Sequence, residues 1–158
     1  MLNIKELLVI RVSLESLACK LICENGGLTK EMEDTIVSIE NQYLSTLKDQ
    51  NYIDNFKFDA LFHNTIVSFA NNSRLTEIMK NISIQSERLR WLSILTPIRF
   101  ENAKTEHSDI LQYLKECNVE KACDKIEEHI NLTIQNYNRI TDNGSLESII
   151  TSFKQALV

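Results

Sequence analysis

The chain has three histidines in 158 residues, and each stands on the apolar face of a helical pattern. In FDALFHNTI, Asp59 and His63 are one helical turn apart and share a face with Phe62 and Ile66. His107 precedes Ile110, Leu111 and Leu114 at helical spacing, and His129 lies between Ile126 and Thr133 on the apolar side of another pattern. An apolar stripe covers roughly a third of a helix's circumference, so chance does not readily turn all three histidines inward. One inward histidine reads as a core residue satisfied by a single hydrogen bond. Three of them with an inward carboxylate read differently, because an ionised aspartate is costly to bury without a cation or several donors. Neutral imidazoles plus one carboxylate suit a divalent first-row metal. Asp59, His63, His107 and His129 are therefore the candidate metal ligands. Zinc comes first on ligand softness, with nickel, manganese or iron also suited to an open nitrogen/oxygen site.

Two arginines are candidates for holding an anion beside such a metal. Arg11 has Leu7, Leu8, Leu14 and Glu15 as its helical neighbours. It reads either as a snorkelling or Glu15-paired side chain, or as a guanidinium reaching inward to clamp a carboxylate bidentately. Arg88, in SERLRWLSI, is the second candidate. The expected ligand is a small anionic metabolite, an organic acid.

The elements that must position these residues are helices. Three glycines and one proline leave few tight turns, which favours long helices over a sheet. Apolar spacing marks six helices. The first carries Ile4, Leu7, Leu8, Leu14, Ala18 and Ile22 and stops at Asn25-Gly26-Gly27. Thr29 caps a second with Met32, Ile36, Ile39, Tyr43 and Leu47. A third runs from about residue 53 to 70. A fourth, with Ile78, Ile82, Leu89 and Leu92 inward, ends before Pro97. The fifth runs from about 100 to 116, and the sixth from about 119 to 140. A short seventh follows a turn at Asp142-Asn143-Gly144, from Ser145 to Phe153. The expected architecture is an all-α antiparallel helical bundle of six to seven helices, one domain over residues 1–158.

Composition narrows the function classes. A net charge of −5 disfavours direct contact with a phosphate backbone, which needs clustered Lys and Arg. No apolar run is long enough to span a bilayer, and MLNIKELLVI lacks the layout of a signal peptide, so a cytoplasmic location is expected. Cys19, Cys23, Cys117 and Cys123 fit reduced thiols packed as small hydrophobes, and CxxxC is a weak metal signal.

RVSLESLA near the start, FDALFHNTIVSFANNSRL in the middle, then EHSDIL and EEHI, together resemble the FCD domain. That is the effector-sensing domain of FadR-type regulators in the GntR family of transcription factors. The resemblance covers residues 4 to 140. It implies a metal-binding branch in which the Asp, the His one turn later and two further His fall on Asp59, His63, His107 and His129. It also places the family's early arginine on Arg11, and its Asn and Leu after the third helix on Asn72 and Leu75. A homodimer is implied as well. The winged helix-turn-helix that precedes this domain in FadR-type regulators is not in this sequence. DNA contact is therefore expected only through a domain outside this chain, which is either an excised sensor or a stand-alone one.

Two other classes compete with a metal-dependent sensor. A non-haem metalloenzyme could use the same ligands, but the Glu-x-x-His pairs of di-iron bundles are missing: Lys104 precedes His107 and Ile126 precedes His129 by three. No additional acid or base is apparent beside the site, and an enzyme is not expected. The last class is a metal-stabilised dimerisation module without an effector.

Overall fold

Apolar residues at helical spacing, interrupted only by the capping and turn residues between them, condense into six helices in the computed structural model. They are α1 (Ile4–Glu24), α2 (Lys30–Lys48), α3 (Tyr52–Phe69), α4 (Ser73–Ile94), α5 (Pro97–Lys115) and α6 (Val119–Asp142). The structure describes residues 4–49, 52–94 and 97–142. Side chains at 4, 5, 52, 53, 56, 86–94, 97–101, 136, 137 and 139–142 lie outside that description. The expected seventh helix, Ser145 to Phe153, lies outside the described residues too.

Each boundary has a local cause. The α1 carbonyls are closed off where the Gly27 N–H donates to the Ile22 carbonyl at 2.9 Å. Gly26 and Gly27 there adopt φ of +99° and +84°, which side-chain-bearing residues rarely take. Thr29 Oγ1 accepts the Met32 N–H at 3.3 Å and starts α2. Asn72 Oδ1 does the same for the Leu75 N–H at 3.0 Å, and Asn118 Oδ1 for the Lys121 N–H at 3.2 Å, opening α4 and α6. Asn71 and Cys117, just before those caps, hold positive φ of 51° and 49°.

The core runs along the bundle through Leu8, Ile22, Ile36, Phe62, Ile66, Met79, Ile110, Leu114, Ile126 and Ile130. Burying each such side chain contributes about 1.5–3 kcal/mol before the entropy of ordering is subtracted. Helix α1 packs against α3, α4 and α6, while α2 lies on α3 and α5. The buried faces of α1, α3, α5 and α6 thus converge.

Helix α4 is phased differently from its apolar pattern. Ile78 is half exposed, and Leu75, Met79 and Ser83 form the buried stripe. The cause is polar: the Ser83 hydroxyl donates to Asn64 Oδ1 at 2.9 Å, so an inward position is held by a hydrogen bond that hydropathy does not register. Leu89 and Leu92 lie outside the described side chains.

Candidate metal centre

Asp59 and His63 leave α3 on the same face, His107 leaves α5 and His129 leaves α6. All four are buried, the His63 and His107 side chains completely. One ligand atom from each lies within 4.8 Å of every other, the only such cluster among the described residues. Donors on opposite sides of one ion, at about 2.0–2.2 Å each, sit roughly 4 Å apart. A small inward contraction would therefore bring all four onto a single ion.

The orientation of the rings is fixed from outside. The Nδ1 atom of His63 is 2.6 Å from Glu15 Oε2, that of His129 is 2.6 Å from Glu106 Oε2, and that of His107 is 3.0 Å from Glu40 Oε1. A carboxylate acceptor keeps the proton on Nδ1 and leaves the Nε2 lone pair facing inward, the arrangement that orients metal-binding imidazoles. The Nε2 atoms do converge. Those of His63 and His129 are 3.0 Å apart. His107 Nε2 has no hydrogen-bond partner and lies 3.4 Å from Asp59 Oδ1, close enough for attraction but without hydrogen-bond geometry. Asp59 Oδ1 is also 3.9 Å from His63 Nε2. Phe62 stacks on the His107 ring at 4.0 Å and walls it from solvent.

Electrostatics call for positive charge at this point. Asp59, Glu15, Glu40 and Glu106 surround the imidazoles, and Arg11 is the guanidinium among them. Burial alone opposes a charged His107, yet the Asp59 and Glu40 carboxylates outweigh it and raise the group to about 9. A divalent ion can supply the same compensation. The inward lone pairs, the orphaned Nε2 and the excess of carboxylates all fit one.

Arg11 is buried on α1, where its Nε donates to Glu15 Oε1. Both readings of it meet here, because the same side chain is inward and Glu15-paired. Its Nη2 is buried without a hydrogen-bond partner. Arg88 lies on α4 outside the described side chains.

Glu15, Glu40 and Glu106 are the residues that sequence reasoning missed, and they correct the expectation that no further acid or base adjoins the site. Glu15 sits one turn after Arg11, and Glu40 sits one turn after Ile36 and just before Tyr43. Those spacings mark both as inward-edge carboxylates. Glu106 sits one turn before Ile110 and three residues after Ala103, a spacing that marks it in the same way.

The family model of the FCD domain matches residues 6–132, which include every residue of the cluster. No curated protein matches the chain. Among solved structures, one described with the words that Lar controls the expression of the Listeria monocytogenes agr system and mediates virulence superposes with a TM-score of 0.74 at 17 % identity. The likeness covers 87 % of this chain and 66 % of that one, so the present chain spans about two thirds of its length. At that identity the likeness concerns the fold, an all-α bundle. With the model matched over most of its length, the chain belongs to the FCD domain family.

Proposed function

We propose that the chain is the metal-dependent, effector-sensing and dimerising domain of a GntR-type transcription regulator, with Asp59, His63, His107 and His129 holding one divalent first-row metal ion. The observation that carries this reading is the convergence of three imidazole Nε2 atoms on Asp59, each ring with its Nδ1 on a separate carboxylate. When bound, the ion supplies positive charge and open coordination positions for an oxygen ligand. Zinc is the first choice, with nickel, manganese and iron as competitors.

Arg11 gives the site its preference for an anion. Its Nε is occupied by Glu15 and its Nη2 is not occupied, so a carboxylate reaching the cluster would meet a preformed donor. The effector is a small carboxylate, with Arg88 as a second contributor. Glu15 joins the two halves of the site, since one oxygen accepts from Arg11 and the other from His63. An anion that draws on Arg11 therefore alters the acceptor that orients His63, and effector and metal affinities are coupled reciprocally.

Binding beside Arg11 and the metal cluster shifts α1 relative to α3, α5 and α6, by as much as the effector's differential affinity for two helix arrangements allows. Val9, Ile10 and Leu17 on the exposed face of α1 support a homodimer that passes this shift to a partner copy. DNA would be reached through a winged helix-turn-helix outside this chain. A cytoplasmic location belongs to the same proposal, as expected of a transcription regulator; among the described residues no helix is long and apolar enough to cross a membrane.

The family and the histidine surroundings support a transcriptional role rather than turnover: Glu15, Glu40 and Glu106 are each engaged in holding a ring. The test is a thermal melt with zinc alone and with zinc plus a panel of small carboxylates. The reading expects metal to raise Tm and one carboxylate class to raise it further. A rise with metal and none with any carboxylate would leave a metal-stabilised dimerisation module. No rise with metal would remove the metal centre.

A further inference from the structure

All four cysteines lie on the second half of α1 or where α5 turns into α6. Cys19 and Cys23 are on the last turns of α1, Cys117 is in the α5–α6 connection, and Cys123 is on the first turns of α6. The Cys123 thiol donates to the Ser16 carbonyl on α1 at 3.6 Å, and the side chain of Cys23 meets that of Cys117. These thiols do not converge on an ion, since the only metal-competent cluster among the described residues is the Asp/His one.

Cys117 is placed in an unusual way. It occupies the left-handed position that ends α5, with φ of 49°, and the Asn118 N–H closes the turn onto the Tyr113 carbonyl at 2.9 Å. Glycine is the residue such a position favours. A cysteine in that conformation is sparsely populated and calls for a reason. On the facing side, a Cβ on Gly27 would come within 2.8 Å of Cys117 Sγ. A glycine thus stands where the sulfur approaches α1, and a cysteine stands where a glycine would end α5. Cys117 is exposed, Cys23 is half buried beside it, and both are unpaired thiols.

We propose that Cys23 and Cys117 are a reversible oxidation site, closing under peroxide into a disulfide that ties the end of α1 to the α5–α6 connection. The exposed Cys117 reaches the oxidant first. Its thiolate attacks one peroxide oxygen, the O–O bond breaks, water or an alcohol leaves, and Cys117 becomes a sulfenic acid. The Cys23 sulfur then attacks the Cys117 sulfur, forming S–S and breaking S–O, and the departing hydroxide takes the Cys23 proton as a second water. Two thiols are oxidised and one peroxide is reduced. Burial first, and then Cys117, push the Cys23 thiol up to about 11, which suits it to resolving the sulfenic acid rather than starting the reaction. Cys19 is fully buried and raised still further, and takes no part.

The proposal does not depend on the metal reading. The test treats the reduced, folded chain with hydrogen peroxide, blocks remaining thiols with N-ethylmaleimide and maps peptides without reduction. We expect a mass two hydrogens lighter before alkylation, a Cys23–Cys117 linked peptide, and full reversal by dithiothreitol. Cys117→Ser should abolish the link, and Cys23→Ser should leave a sulfenic acid that dimedone captures at Cys117. Should Cys23→Ser fail to fold, the peptide map of the unaltered chain decides alone. A link between Cys117 residues of two chains, a link within Cys19–Cys23, or Cys117 over-oxidised while Cys23 remains alkylatable would each overturn it.

Discussion

His63 Nε2 and His129 Nε2 lie 3.0 Å apart, while the Nδ1 of each ring rests on its own buried glutamate, Glu15 or Glu106. With both protons held outward, two lone pairs face each other across a contact that only a shared cation makes favourable. That cation is either a proton or, as we propose, a metal ion.

Removing one imidazole should therefore cost both metal and stability, because ligand binding energy is partly folding energy. We expect His129→Ala to lose most bound metal and to melt earlier. In a chain of this size each kcal/mol lost moves Tm by roughly 2–4 °C. Elemental analysis and melting curves of the variant beside the unaltered chain check this, and equal metal content in both would contradict it.

Glu106→Gln tests the outer carboxylates without opening a hole. The amide oxygen can still accept the His129 Nδ1–H, so the fold should persist, but the charge that raises the basicity of the imidazole is gone. Metal affinity is expected to fall about 10–100-fold. Competition against a fluorescent chelator measures it, and an unchanged affinity would reduce Glu106 to packing.

Arg11→Lys separates the effector from the metal. Lysine keeps a charge near Glu15, whereas deletion of the charge would strand a buried carboxylate at about 3–5 kcal/mol. It lacks the free Nη2 donor. Metal should still raise Tm in this variant, and the further rise caused by a carboxylate should disappear. A carboxylate response of full size would show that Arg11 serves only Glu15.

The pH profile follows from His107. Its folded value, about 9, is above the ordinary 6.5, because Asp59 and Glu40 overcome the effect of burial. In the metal-free chain this contribution to stability is fully present below pH 6.5 and is lost as pH rises through about 9. Metal needs the deprotonated ring, so its uptake at pH 7 to 8 should release protons. The gap in Tm between metal-loaded and metal-free protein should widen from pH 7 to 9. A gap that narrows would contradict the assignment of His107.

Much of this was legible in the sequence because helical periodicity reports which way a side chain faces. It turned Asp59, His63, His107 and His129 inward, and the structure buries all four together. Periodicity does not report what lies across a bundle. Glu15, Glu40 and Glu106 each come from a helix other than that of the ring they hold: α1 against His63 on α3, α2 against His107 on α5, and α5 against His129 on α6. Their partners depend on how α1, α2 and α5 are rotated against α3 and α6, and no single-helix pattern encodes that. The inward face of α4, though not the helix itself, departs from its hydropathy pattern for a related reason. Its inward Ser83 is polar and its outward Ile78 apolar, so a hydrogen bond to Asn64 overrode the hydropathy signal.

The most direct measurement is X-ray absorption at the metal edge, on protein purified without chelators and quantified by elemental analysis. The account predicts close to one first-row metal per chain, in a shell of nitrogen and oxygen with the multiple-scattering signature of three imidazoles. A folded protein that carries no metal and takes up none, or a bound metal whose shell is sulfur, would contradict it.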